Sequence, residues 1–181
     1  MHLAIFDKIR PGNYGWVVIG TLLVIDSLIM GVTFTLGLMM PQIVDDLGIS
    51  IQQVGWLGAM NWEVSAILII PITFYFARYS PKKIIIAACI LEALLLAAQG
   101  LAPNYWLLLA GRVVFIAAGL LHFAAMPTLV QQWFHKNEVT RVNTVFTVGS
   151  GIIGGTVVFF MGNLLEILGG WRNIFFIFAG I

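Results

Sequence analysis

The chain has 181 residues, of which 60% are hydrophobic and 9% charged, with a mean hydropathy of +0.99. Soluble domains carry roughly 25% charged residues, so the composition argues against a water-soluble fold. The net charge of +1, with basic residues confined to short loops, supplies no clustered basic face for nucleic acid.

The segment Met1 to Gly15 carries Asp7, Lys8 and Arg10. It leads into an apolar stretch of about 25 residues, longer than the apolar part of a signal peptide. A retained first transmembrane helix is expected. Segments able to cross about 30 Å of hydrocarbon run over 16–40, 51–75, 84–102, 106–132 and 142–165. A sixth starts near Trp171 and reaches Ile181 after about 11 residues, roughly half a crossing, so the chain is expected to be cut inside that helix. Backbone groups in lipid must pair internally, and the runs lack the alternation of barrel strands, so they are expected to be helices. The fold class expected is an all-α polytopic membrane bundle. Cys89, the single cysteine, lies in an apolar run and gives neither a disulfide framework nor a metal-ligand pair, and no cofactor or metal is expected.

With the N-terminus on the cytoplasmic side, Lys8, Arg10, Arg78, Lys82, Lys83, Lys136 and Arg141 all fall inside, seven of the nine Lys and Arg. Arg112 and Arg172 fall outside or are buried. Asp45, Asp46, Gly48 and Ser50 are expected to close the first outer turn, Tyr79 to Lys83 the first inner one, and Ala102 to Asn104 the second outer one. Trp16, Trp56, Trp106, Trp133 and Trp171 stand near segment ends, where indoles favour the headgroup zone. A plasma or bacterial inner membrane is the default location.

Between the second and third segments lies TFYFARYSPKK, Thr73 to Lys83. It resembles the loop signature of the major facilitator superfamily, in which a glycine precedes Asp-Arg, an aromatic, a second glycine and two basic residues. Arg78, Tyr79, Lys82 and Lys83 match; Thr73, Ala77 and Ser80 replace the first glycine, the aspartate and the second glycine. In the family the aspartate helps lock the loop, and Ala77 removes that latch. GRVVFIAAG at Gly111 to Gly119 is similar to the Arg-bearing start of the family's fourth helix, and QQWFHKNEVTR at Gln131 to Arg141 to the inner loop after it. Gly149, Gly151, Gly154, Gly155 and Gly162 give a glycine-rich fifth helix, and GGWRNIFFIFAG at Gly169 to Gly180 resembles the opening of the sixth.

The resemblance implies that residues 1–181 are the N-terminal half of a twelve-helix fold whose cavity opens alternately to each side, with the C-terminal half missing. It implies secondary transport of a small-molecule substrate, with protons as coupling partner. On physical grounds alone, Gly151 and Gly155 share a helical face that another helix could approach closely.

Several polar residues fall at membrane depth. Asp26 lies about ten residues, or ~15 Å, into the first helix, where an uncompensated charge costs about 2.5–3.5 kcal/mol on insertion scales. Arg112 has a stem long enough to reach inward to a carboxylate, or to snorkel to the outer headgroups. Some proton-coupled porters of the resembled family have an acid on the first helix and an arginine on the fourth, which implies proton exchange at Asp26 and anion binding or electrostatic bias at Arg112. The alternative is that Asp26 satisfies a helix contact. Glu63, with Asn61 and Ser65 nearby, and Glu92 on the third helix are further intramembrane carboxylates with no adjacent cation in sequence. The family places the third helix at the periphery, which implies a structural Glu92. Asn61 is expected to make an interhelical hydrogen bond or a substrate contact. His122, ten residues after Arg112, titrates near neutrality when unperturbed and suits a proton relay or a satisfied interior site. Pro71 and Pro127 are expected to kink their helices.

No P-loop, nucleophile elbow or His-Glu-x-x-His is present. Ser27 beside Asp26 does not make a catalytic pair, because adjacent helical residues point about 100° apart. The chain is therefore read as a transporter of a small polar solute, an organic anion being favoured by Arg112, and not as an enzyme. The competing reading is a non-transporting membrane scaffold or a membrane-embedded enzyme.

Overall fold

The computed structural model describes residues 14–76 and 78–180; Asp7, Lys8, Arg10 and Ala77, which carry expectations above, lie outside them. Six α-helices follow in order: α1 Tyr14–Leu47, α2 Ile51–Phe76, α3 Pro81–Gly100, α4 Tyr105–Trp133, α5 Lys136–Leu168 and α6 Trp171–Gly180. No strand occurs among the described residues. By length and composition α1 to α5 are each able to cross a membrane; α6 has 10 residues.

Two boundaries differ from expectation. α1 continues through Pro41 to Leu47 and has 34 residues, about 50 Å at 1.5 Å per residue. Its last turns stay helical because Met39 and Ile43 are both 0% exposed in the core and Gly48, at φ 61°, stops the helix beyond them. Asp45 and Asp46 therefore sit in the final helical turn and not in a loop. The supposed inner loop from Gln131 to Arg141 shrinks to residues 134–135, since α4 holds Gln131 to Trp133 and α5 begins at Lys136. The Glu138 carboxylate accepts from His135 N at 3.2 Å and caps α5 at once. Elsewhere the turns use ordinary devices: Ser50 and Gln53 form a reciprocal capping box, and Asn104 Oδ1 accepts from Leu107 N at 3.0 Å. Gly169 ends α5 at φ 72°.

α4 lies between α2 and α3, α1 runs along α5, and α6 packs on α3. α1 touches α4 only lightly, which leaves open space between the α1–α5 pair and the α2–α4–α3 group. One core joins Leu36, Met39 and Ile43 to Leu57, Leu108, Ile174 and Phe175. A second, at the opposite end, joins Ile19 and Leu22 to Ile84, Leu129, Phe134 and Val142. Outside these cores large apolar side chains stand bare, among them Phe159, Ile167, Phe74 and Trp106, each over 70% exposed, a surface suited to lipid.

Lipid offers no hydrophobic drive between helices, so close approach at small residues holds them together. The residues differ from those expected. Around Gly151 and Gly155 nothing lies within 4 Å of where a Cβ would stand, and both are exposed. The α1–α5 contact instead uses Gly31, Gly149 and Gly154: a Cβ on Gly31 would lie 2.5 Å from Val157 Cγ1, and one on Gly149 2.6 Å from Leu23 Cδ1. Along the α3–α4 seam, Gly111 faces Gln99 and Gly119 faces Glu92, at 3.0 and 3.2 Å from a hypothetical Cβ. Two buried polar side chains of α3 thus rest against two glycines of α4.

At the end carrying the 48–50 and 101–104 turns, Arg172 joins three helices. Its Nε donates to Asp46 Oδ2 at 2.9 Å, and its Nη1 donates to the carbonyls of Gly100 and Ala102 at 3.0 and 2.8 Å. The guanidinium also stacks on Trp171, 4.5 Å from the ring centroid. Trp171 is 3% exposed and packs edge-on against Phe175, so it is a core residue and not a headgroup anchor.

Candidate functional site

Asp26 projects from α1 into the space between the helix groups. Two clefts meet there. The first, about 620 Å³, lies among α1, α4 and α5 and is bordered by Asp26, His122, Asn143, Thr147 and Ser150. The second, about 510 Å³, lies among α1, α2, α3 and α4 and is bordered by Asp26, Asn61, Ser65, Glu92 and His122. Asp26, His122, Met30, Phe34 and Phe123 border both, so the carboxylate and the imidazole stand on the shared wall. Asp26 faces Ser150 across the first cleft, with His122 on the same wall. Both clefts are otherwise apolar, which leaves these few polar groups to orient a solute.

Arg112 is 1% exposed and does not snorkel. Its Nη2 donates to the Thr33 carbonyl at 3.3 Å and its guanidinium lies 5.6 Å from the Phe115 ring centroid. Nε and Nη1 have no hydrogen-bond partner. No ion pair joins Arg112 to Asp26 among the described residues. Thr33 stands seven residues along α1 from Asp26, about 10 Å, and borders the second cleft with Arg112 behind it. The burial follows from α4 being central: α2 covers one side of it and α3 another.

The remaining candidates separate. Asn61 borders the second cleft, and its carbonyl accepts from the Ser65 hydroxyl at 2.6 Å. Glu63 is exposed on α2 and borders neither cleft. Arg78, Tyr79, Lys82 and Lys83 are all exposed and make no ion pair among the described residues. Tyr79 stands beside Tyr75 and Phe76, with centroids 6.0 and 5.9 Å away, and the Tyr75 hydroxyl raises its pKa above the ordinary phenol value. Pro71 and Pro127 lie inside continuous helices.

Glu92, expected at the periphery, is 1% exposed and turned towards α4, its Oε2 3.9 Å from His122 Nδ1. The sequence shows no basic side chain beside it because the facing imidazole is on the next helix. Asn143, Thr147 and Ser150 were also missed. Their spacing of four and three residues puts them on one face of α5, a signal present in the sequence.

A family model described as Major Facilitator Superfamily matches residues 22–181, and the chain belongs to that family. It is an integral, multi-pass membrane protein of the transporter type. No curated protein and no solved structure matches it.

Proposed function

We propose that the chain is the N-terminal half of a proton-coupled secondary transporter for a small organic anion, with its amino terminus in the cytoplasm and a second half closing the clefts. The observation that carries this reading is the place of Asp26: an intramembrane carboxylate on the wall shared by both clefts, beside His122. A carboxylate at membrane depth is costly when charged and uncompensated, so its proton occupancy is coupled to what else enters the cleft. Arg112 supplies the complementary charge. A buried guanidinium with two unpartnered nitrogens is costly, and a solute carboxylate admitted past Thr33 would accept from them in the geometry a planar fork prefers.

Reconstitution of the complete transporter tests the proton assignment. Asp26→Asn is expected to abolish accumulation driven by a pH gradient while sparing counterflow exchange of solute. Undiminished gradient-driven accumulation in the variant would refute proton transfer at Asp26.

A further inference from the structure

The α3–α4 seam contains a second polar group of a different kind. Cys89 and Glu92 stand one helical turn apart on α3, and His122 faces them from α4; one ligand-type atom from each lies within 4.8 Å of the others. Glu92 is 1% and His122 3% exposed. Neither oxygen of Glu92 has a hydrogen-bond partner, nor does His122 Nε2. The 3.9 Å between Glu92 Oε2 and His122 Nδ1 is too long for a hydrogen bond. Gly119 lets the Glu92 carboxylate lie close against α4, since a Cβ there would stand 3.2 Å from Oε1. A buried carboxylate, an imidazole and a thiol therefore converge in the seam, with the carboxylate unsatisfied by the imidazole.

Those donors are the ones a tetrahedral, borderline-soft cation takes. Bonds of about 2.0–2.3 Å to N, O and S put neighbouring ligand atoms roughly 3.3–3.6 Å apart, a few tenths of an ångström inside the 3.9 Å His122–Glu92 separation. The thiol, within 4.8 Å of both, draws inward to complete the set. Charge fits as well: a thiolate and a carboxylate cancel a divalent ion, so the loaded site is neutral in a low-dielectric seam. The thiol proton leaves to water as the Sγ–metal bond forms, and a proton on Glu92 leaves with it when present. Thiolate and imidazole select against Mg²⁺ and Ca²⁺. Entry is from the second cleft, which Glu92 and His122 border.

We propose that Cys89, Glu92 and His122 form a binding site for a divalent cation of the Zn²⁺ class in the α3–α4 seam, with a fourth position left for water. The proposal makes no use of the proton assignment at Asp26 or of the transported solute.

Co²⁺ titration of the purified full-length protein in detergent is the test. One equivalent is expected to give the near-ultraviolet thiolate-to-Co²⁺ band and tetrahedral visible bands, displaced by Zn²⁺ and unaffected by Mg²⁺. Cys89→Ser should remove the thiolate band, and Glu92→Gln and His122→Gln should each weaken binding by tenfold or more. Absence of the band in the wild type, or its persistence in Cys89→Ser, overturns the site. Should a variant fail to fold, the wild type decides alone: Zn²⁺ must raise its melting temperature and protect Cys89, identified by its peptide mass, from alkylation. Unprotected Cys89 at saturating Zn²⁺ also overturns it.

Discussion

Arg112 is the largest of the fully buried side chains, a charged group in a seam where one carbonyl serves a guanidinium with several donors. Each donor left without a partner costs about 1–3 kcal/mol or more. Replacing a buried charge by an apolar side chain of similar volume is often neutral or stabilising. Arg112→Met is accordingly expected to leave the melting temperature in detergent unchanged or raised, while cutting uptake of an anionic solute at least tenfold. A clear drop in melting temperature would mark Arg112 as a packing element and remove the argument for anion binding. The sequence placed this residue correctly along its helix, yet left its surroundings open, because periodicity carries no information on an α-helix covered from two sides. Glu92 shows the same limit from the other direction. The imidazole that faces it is thirty residues away on the next helix, and the close α3–α4 approach at Gly111 and Gly119 brings the two together.

At the scale of the helix, contact is decided by which glycine faces a neighbour, and spacing alone does not say which. Gly151 and Gly155 have the familiar separation but face the first cleft, whereas Gly31, Gly149 and Gly154 meet across the α1–α5 interface. The neighbours of two of these glycines differ in stiffness. Val157, opposite Gly31, is branched at Cβ and held in few rotamers, and its Cβ itself would lie 3.0 Å from an added methyl. Leu23, opposite Gly149, meets the glycine with the end of a flexible side chain. Gly31→Ala is therefore expected to cost about 1–3 kcal/mol by overpacking, and Gly149→Ala less than about 1. Thermal unfolding of the two variants checks the order, and Val157→Ala should recover part of the first loss. Equal losses, or no recovery, would mean the helices separate as a unit instead of clashing locally.

For the molecule as a whole, hydropathy was enough to find five crossings and the start of a sixth helix, and the family match agrees with the class read from loop motifs. Helix ends were less legible. The apolar run ending at residue 40 and the polar run from 131 to 141 both read as helix limits, but a helix continues past the end of its apolar stretch into polar residues without breaking. The proposed orientation rests on basic residues that are exposed and unpaired in the described loop. It predicts that, in a Cys89→Ser background, Lys82→Cys in the complete protein reacts with an impermeant maleimide only from the cytoplasmic side and Asn104→Cys only from the outside. Reversed labelling would invert the topology.

Arg172 binds Asp46, Gly100 and Ala102 at once, and so clips the ends of α1 and α3 to the start of α6. The Asp46 contact is half open to solvent and contributes little by itself; the two carbonyl bonds are the firmer hold. This end of the bundle is thus tied by directional polar bonds, whereas the far end, where Ile19 and Leu22 meet Ile84, Phe134 and Val142, is held by apolar packing. Directional bonds fix a register and apolar contacts tolerate sliding, so the two ends are fastened by mechanisms that yield to different stresses.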